Sequence, residues 1–171
     1  MEKFRILKGE NMRVGIGYDI HRLVAGRPLV LAGVTIPFDK GLEGHSDADV
    51  LAHAVCDAIL GAAADGDIGT HFPDTDPQYE NADSLDLLGQ VADRISKTGY
   101  AVVNLDATLM AEKPKIQPYR GEMVQNLARV LGISPDFVSI KATTTEGLGF
   151  VGRGEGIAAV CVTLIAEKTT D

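Results

Sequence analysis

The chain has no tryptophan, only five phenylalanines and four tyrosines, and two cysteines in 171 residues. A core built from such a sequence must be aliphatic. No apolar run reaches the roughly 18 to 20 residues of a membrane-spanning helix, which excludes a helical membrane protein. No apolar leader with a cleavage site opens the chain, so a bacterial-type cytoplasmic location is expected, without a plastid transit peptide. Cys56 and Cys161 each stand alone in an apolar segment and lack the close spacing of a thiolate metal site; both read as reduced core thiols. A net charge of −8 without clustered Lys and Arg excludes a nucleic-acid surface. It leaves room for a small anion, provided metal ions and a few placed cations neutralise it locally.

What is present is a regular alternation of strand and helix patterns. Val14 to Ile20 reads as a strand, and Leu29 to Ile36 as a second one ended by Pro37. Ser46, with Asp49 three residues on, predicts a helix start; Val50, Leu51, Ala54, Val55, Ala58, Ile59 and Ala62 form its apolar stripe. Asp65 to Pro77 is a turn-rich loop. Asp83-Ser84 opens a second helix that Gly99 stops, and Tyr100 to Met110 is strand. The loop Glu112 to Pro118 opens a third helix ending at Gly132. Phe137 to Thr143 is strand, Thr144 to Gly156 a glycine-rich loop, and Ile157 to Ile165 a last strand. The expected architecture is one α/β (α+β) domain, a mixed sheet with helices on one face, over residues 12–171. Residues 1–11, polar and mixed in charge, read as an extension before Met12.

The most informative residues are Asp19, His21 and His53. Side chains two apart on a strand share a face, so Asp19 and His21 can address one target, while His53 projects from the first helix. One carboxylate and two imidazoles are the three ligands of a catalytic zinc site that leaves a fourth position open. The competing reading is a polar strand end beside a surface histidine; a chain with only four histidines favours the metal. Other signals are weaker alone. Gly147-x-Gly149-x-x-Gly152 leads into a strand, whereas a dinucleotide fingerprint must open a helix. Thr143, Thr144, Thr145 and Glu146 at a strand end suit phosphate oxygens and a hard metal ion, or merely a β-rich stretch meeting a loop. Lys113-Pro114-Lys115 offers two cations or an ordinary solvated turn. His45-Ser46-Asp47 precedes the metal-bearing helix, whose free N–H groups would favour an anion, or it simply caps that helix. Asp57, one turn past His53, is a candidate outer carboxylate for the metal or a solvated residue. No activated serine or cysteine nucleophile is present, so a reaction needing positioning and charge neutralisation, such as phosphoryl transfer, fits the inventory.

Four ordered motifs carry a resemblance: Gly17-Tyr18-Asp19-Ile20-His21; Gly44-His45-Ser46-Asp47-Ala48-Asp49 with His53; Gly66-Asp67 through Phe72-Pro73-Asp74-Thr75-Asp76-Pro77; and Lys141 through Thr143-Thr144-Thr145-Glu146 to Phe150, Arg153 and Glu155. From Met12 to about Lys168 the chain resembles the 2-C-methyl-D-erythritol 2,4-cyclodiphosphate synthases of non-mevalonate isoprenoid biosynthesis. The resemblance implies a homotrimer with active sites between subunits, which cyclises 4-diphosphocytidyl-2-C-methyl-D-erythritol 2-phosphate and releases CMP. It implies zinc on Asp19, His21 and His53, and Mg²⁺ or Mn²⁺ on Glu146. His45, Ser46, Lys115 and Thr144 would act on the reacting phosphates. Asp67, Gly69, Phe72 and Asp74 would line the methylerythritol pocket. Ala111, Pro114, Lys115 and Ile116 would meet Thr143, Thr144, Thr145 and Glu146 around the cytidine diphosphate; Gln117 is polar where the family is apolar. Phe150 and Arg153 complete the implied substrate set, with Arg153 and Glu155 near the trimer axis, where the family often binds an isoprenoid diphosphate. The rival readings are a zinc-dependent nucleotide phosphodiesterase or hydrolase, giving an open-chain product, and a nucleotide- or metal-binding subunit without turnover.

Overall fold

The computed structural model describes residues 11–168. The expected extension over residues 1–11 therefore lies outside the described residues, apart from Asn11. The elements run β1 (Met12–Ala25), β2 (Leu29–Leu31), β3 (Val34–Ile36), β4 (Lys40–Leu42), α1 (Val50–Ala63), α2 (Ile68–His71), α3 (Ser84–Lys97), β5 (Tyr100–Met110), α4 (Arg120–Leu131), β6 (Val138–Thr143), α5 (Gly149–Gly152) and β7 (Gly156–Glu167). A five-stranded sheet has the order β4-β1-β7-β5-β6, and β2 and β3 form a separate hairpin. β5 and β6 are parallel, with α4 as the crossover, while β1 with β7 and β5 with β7 are antiparallel. The mixed sheet of the sequence reading is present.

Four local expectations are corrected. The apolar run Leu29 to Ile36 is two strands, because Ala32 and Gly33 both take positive φ (47° and 70°) and reverse the chain. Asn126 donates to the Ala32 carbonyl and Asp49 accepts from the Gly33 amide, so distant side chains pin that turn. The cap of α1 is Asp49, which accepts from the Leu51 and Ala52 amides, and not Ser46. Those amides are thereby taken by the protein's own carboxylate and are not free for a ligand anion. Finally, one-turn helices, α2 and α5, interrupt the two loops read as irregular.

Asp49 is fully buried, and burial pushes its carboxyl up to about 6, against the opposing amides of Ala52, Gly33 and Ala32. A carboxyl whose folded value exceeds its unfolded one of 3.8 holds its proton more tightly in the fold. Its contribution is fully present below the unfolded value and is withdrawn as pH rises through about 6. Asp49→Asn, which keeps an acceptor for the cap, should remove this slope. Urea denaturation should show the parent losing stability relative to the variant between those two pH values.

The two faces of the sheet differ. On β1, Gly15 and Gly17 point to α1, and a Cβ on either would stand 2.0 Å from the carbonyl oxygen of Ala58 or Ala54. Helix and strand thus touch backbone to backbone. Aliphatic side chains of α1, α3, β5 and β7 fill the core around that contact. Cys56 and Cys161 lie within it as free thiols, both pushed up by burial, Cys161 to about 12. The opposite face carries Met12, Val14, Ile16, Tyr18 and Ile20 of β1 beside Val162 of β7, with Val14 and Ile16 each 68% exposed. Among the described residues no helix is long and apolar enough to cross a membrane.

Candidate active site

β1 supplies Asp19 and His21 on its helix-facing side, and α1 supplies His53 opposite them, held close by the glycine contact. Asp19 Oδ2 lies 2.9 Å from His21 Nε2 and 3.0 Å from His53 Nδ1, and the two ring nitrogens are 3.1 Å apart. The group is half-buried, and its ligand atoms form a compact triangle that one ion can share. The far nitrogens are engaged: His21 Nδ1 meets the Glu43 carbonyl at 2.8 Å, and His53 Nε2 lies 2.9 Å from Ser84 Oγ and 3.1 Å from Ser46 Oγ. A carbonyl can only accept, so His21 donates from Nδ1 and presents a bare Nε2 to the triangle. The donor set therefore fits a borderline metal such as zinc. Burial acts against the Asp19 charge, but the His21 and His53 rings, which donate to it when they are charged, outweigh burial and hold the carboxyl far below the usual range. Burial likewise opposes the His21 charge and is outweighed by Asp19, which raises the imidazole. Asp57 does not orient His53. Its carboxylate accepts from the Ile68 amide at 2.7 Å and so ties α2 to α1.

The triangle opens into a cleft of about 460 Å³. Of the expected site residues, His45, Ser46, Gly69, Phe72 and Asp74 line it. Asp67 stands just outside as the cap of α2, accepting from the amide and hydroxyl of Thr70. Its carboxyl is held down by those hydrogen bonds, first that of the Thr70 hydroxyl. The sequence reading missed Ile68, Tyr79 and Leu87, which give the cleft an apolar wall; Phe72 and Tyr79 pack edge-to-face at 5.2 Å. It also missed the buried Ser84 beneath His53, which as a sequence signal looks only like the start of a helix.

The remaining expected residues gather elsewhere. The Ala111 amide donates to the Thr143 carbonyl, and Glu112 accepts from the amide and hydroxyl of Thr145 and from the Gly147 amide. This knits the loop bearing Pro114 and Lys115 to the loop bearing Thr143 to Glu146. Thr144 donates to Glu146 at 2.7 Å. Ala111 and Ile116 are buried, with Ile116 packed in the core, so each offers a ligand its backbone rather than its side chain. Arg153 pairs with Glu155 and lines a second cleft, of about 440 Å³, with Leu23, Phe38 and Lys40. Thr143 stands opposite Met110, Met110 opposite Ala158, and Ala158 opposite Ile20. Three strand spacings amount to about 14 Å, and Ile20 faces away from Asp19 and His21. The expected residues of one chain therefore fall into two separate groups at the same end of its sheet.

A family model described as the YgbB family matches residues 12–166, which takes in both groups of residues. The chain belongs to the YgbB family. Within that family it is 68% identical, over 151 residues, to the 2-C-methyl-D-erythritol 2,4-cyclodiphosphate synthase of Desulfatibacillum aliphaticivorans; the match covers 88% of this chain and 97% of the relative. A solved structure, IspF of Plasmodium falciparum in complex with CDP, superposes with a TM-score of 0.82 at 33% identity, covering 93% of this chain and 98% of that one. The bifunctional IspDF of Campylobacter jejuni superposes with a TM-score of 0.90 at 43% identity; 94% of this chain matches 43% of that longer chain.

Proposed function

We propose that this YgbB-family chain is the cyclodiphosphate synthase: it converts 4-diphosphocytidyl-2-C-methyl-D-erythritol 2-phosphate to the 2,4-cyclodiphosphate and CMP. The carrying observation is the Asp19–His21–His53 triangle at the mouth of a cleft lined by His45, Ser46 and Asp74. The substrate's own 2-phosphate is the nucleophile. With a second pKa of about 6 it is largely dianionic at neutral pH and needs no general base. Its oxygen bonds to the β-phosphorus as the bond from that phosphorus to the CMP oxygen breaks, and CMP carries the electron pair away. Zinc on the triangle would supply Lewis-acid polarisation of a phosphoryl oxygen. Ser46 donates toward the phosphates, His45, with its Nε2 held 3.0 Å from the Asp76 carbonyl, contacts them from the cleft wall, and Asp74 holds the methylerythritol end against the Phe72 wall. Lys115 and Thr144 bind the diphosphate, and Glu146 is the carboxylate for Mg²⁺ or Mn²⁺. Binding both ends of one flexible molecule converts a meeting of two anions into a positioned intramolecular step.

The assembly belongs to the same proposal. The exposed apolar stripe of β1 and β7 is of the kind that marks a subunit interface. The distance between the half-sites is what a ring relieves: each subunit lends its metal half to one neighbour and its nucleotide half to the other. A homotrimer closes such a head-to-tail contact. Arg153 and Glu155 would then gather near its axis, where an isoprenoid diphosphate could meet the cations. Residues 12–171 would form the synthase domain, residues 1–11 an extension, and the free buried thiols suit a cytoplasmic setting. Ile16→Glu, which plants a charge mid-stripe, should give a monomer by light scattering and lose most turnover. A trimer of normal activity would overturn the interface.

Phosphorus NMR of the protein with substrate, zinc and Mg²⁺ tests the reaction. A cyclic diphosphate rising one-for-one with CMP is the expected result; CMP with an open-chain product would make it a hydrolase.

A further inference from the structure

The His21 ring is fixed by a backbone carbonyl, but His53 has no such partner. Its outer nitrogen meets two hydroxyls, Ser84 at 2.9 Å and Ser46 at 3.1 Å, and a hydroxyl can donate as well as accept. Two proton arrangements compete. In one, Nε2–H donates outward and bare Nδ1 faces Asp19 and His21. In the other, Nδ1–H donates to Asp19 and Nε2 accepts from a serine, which leaves no lone pair for a metal. The hydroxyl that decides is Ser84. It is fully buried, and Asp47 grips it twice: Oδ1 closely on Oγ, and Oδ2 at 3.2 Å from its amide. A carboxylate can only accept, so the Ser84 proton is committed to Asp47, and toward His53 its oxygen can only accept.

We infer that the Asp47–Ser84 pair is a tautomer lock, two positioning residues that keep His53 protonated on Nε2 and therefore metal-ready on Nδ1. The inference rests on the metal reading of the triangle. A carboxylate that reaches a ligating histidine through a serine does the work usually done by direct contact. The lock has a second effect. Ser46 already accepts from the Ala48 amide at 3.1 Å, and with His53 donating outward the Ser46 proton is not drawn to His53; it turns either to Ser84 Oγ at 3.3 Å or to the cleft. Asp47 is itself anchored, since its amide donates to the Ala82 carbonyl and its carboxylate accepts from the Asp49 amide. A purely structural tie between these loops would survive loss of the Ser84 hydroxyl, because the Ser84 amide contact and the Asp47–Ala82 and Asn81–His45 backbone bonds remain.

The test is competition of Zn²⁺ against a chelating dye, with the visible spectrum of the Co²⁺-loaded protein as a signature of ligand geometry. Ser84→Ala should weaken Zn²⁺ binding by about 10- to 100-fold and alter the Co²⁺ bands at a nearly unchanged melting temperature. Asp83→Ala is the control: it removes the α3 cap at Leu85, should lower the melting temperature, and should leave Zn²⁺ affinity at the parent's value. Parent-like affinity and spectrum in Ser84→Ala would overturn the lock, as would an equal loss in Asp83→Ala. A parent that binds no Zn²⁺ would overturn the metal reading itself and the lock with it.

Discussion

His53→Ala is expected to abolish turnover while the fold and subunit assembly persist. The variant removes one of three ligand atoms that lie within about 3 Å of each other, and neither Ser46 nor Ser84 can take its place as a ligand to a borderline ion. Lewis-acid stabilisation of a phosphoryl transition state is worth several kcal/mol, and about 1.4 kcal/mol is a tenfold rate, so a loss of at least ~10³-fold follows. The decisive measurement pairs metal content with single-turnover rate. A variant that carries no zinc yet retains the parent rate would remove the metal from the reaction altogether. Stability should change far less, because His53 sits at the cleft edge and the buried stripe of α1 is untouched.

The second large effect concerns where the two half-sites meet. Suppose His53→Ala, dead in the metal half, is mixed with Lys115→Ala, dead in the nucleotide half, and the subunits are unfolded and reassembled together. Active sites shared between neighbours in a ring then recover. With equal amounts and random assembly, about one interface in four carries an intact metal half facing an intact nucleotide half, so about a quarter of parental activity is expected from two nearly inactive proteins. Sites contained within single subunits would give no recovery at all. The roughly 14 Å and the change of sheet face between Asp19 and Thr143 are the reason to expect the first result.

How much of this was legible in the sequence depended on whether a signal was local. Asp19 and His21 share a face because a strand alternates, and β1 does run through both. His53 follows from the apolar stripe of α1, whose register the sequence displays. The turn at Ala32 and Gly33 was hidden because Ala is an unusual residue at positive φ; that conformation is held by Asp49 and Asn126, sixteen and more residues away. The cap of α1 was misplaced for a related reason: Ser46 has the commoner capping signature, but its hydroxyl is engaged with the Ala48 amide and His53, and Asp49 takes the helix amides. Ser84 carried no signal of its role. Its importance comes from a fold that lays the start of α3 beneath a histidine of α1. The separation of the two half-sites was likewise invisible, since strand order, and not chain order, sets it.

The bare backbone contact at Gly15 and Gly17 makes the gap between β1 and α1 a gauge, and the metal site is calibrated by it. Asp19 and His21 ride on one jaw, His53 on the other. A methyl group at Gly17 would have to push Ala54 away by about 1 Å or more from its 2.0 Å approach, whereas metal coordination tolerates only about 0.2 Å. The selectivity of the centre is therefore set as much by two residues that have no side chain as by the three that bind. Gly17→Ala would detune the choice among divalent ions without altering a single ligand.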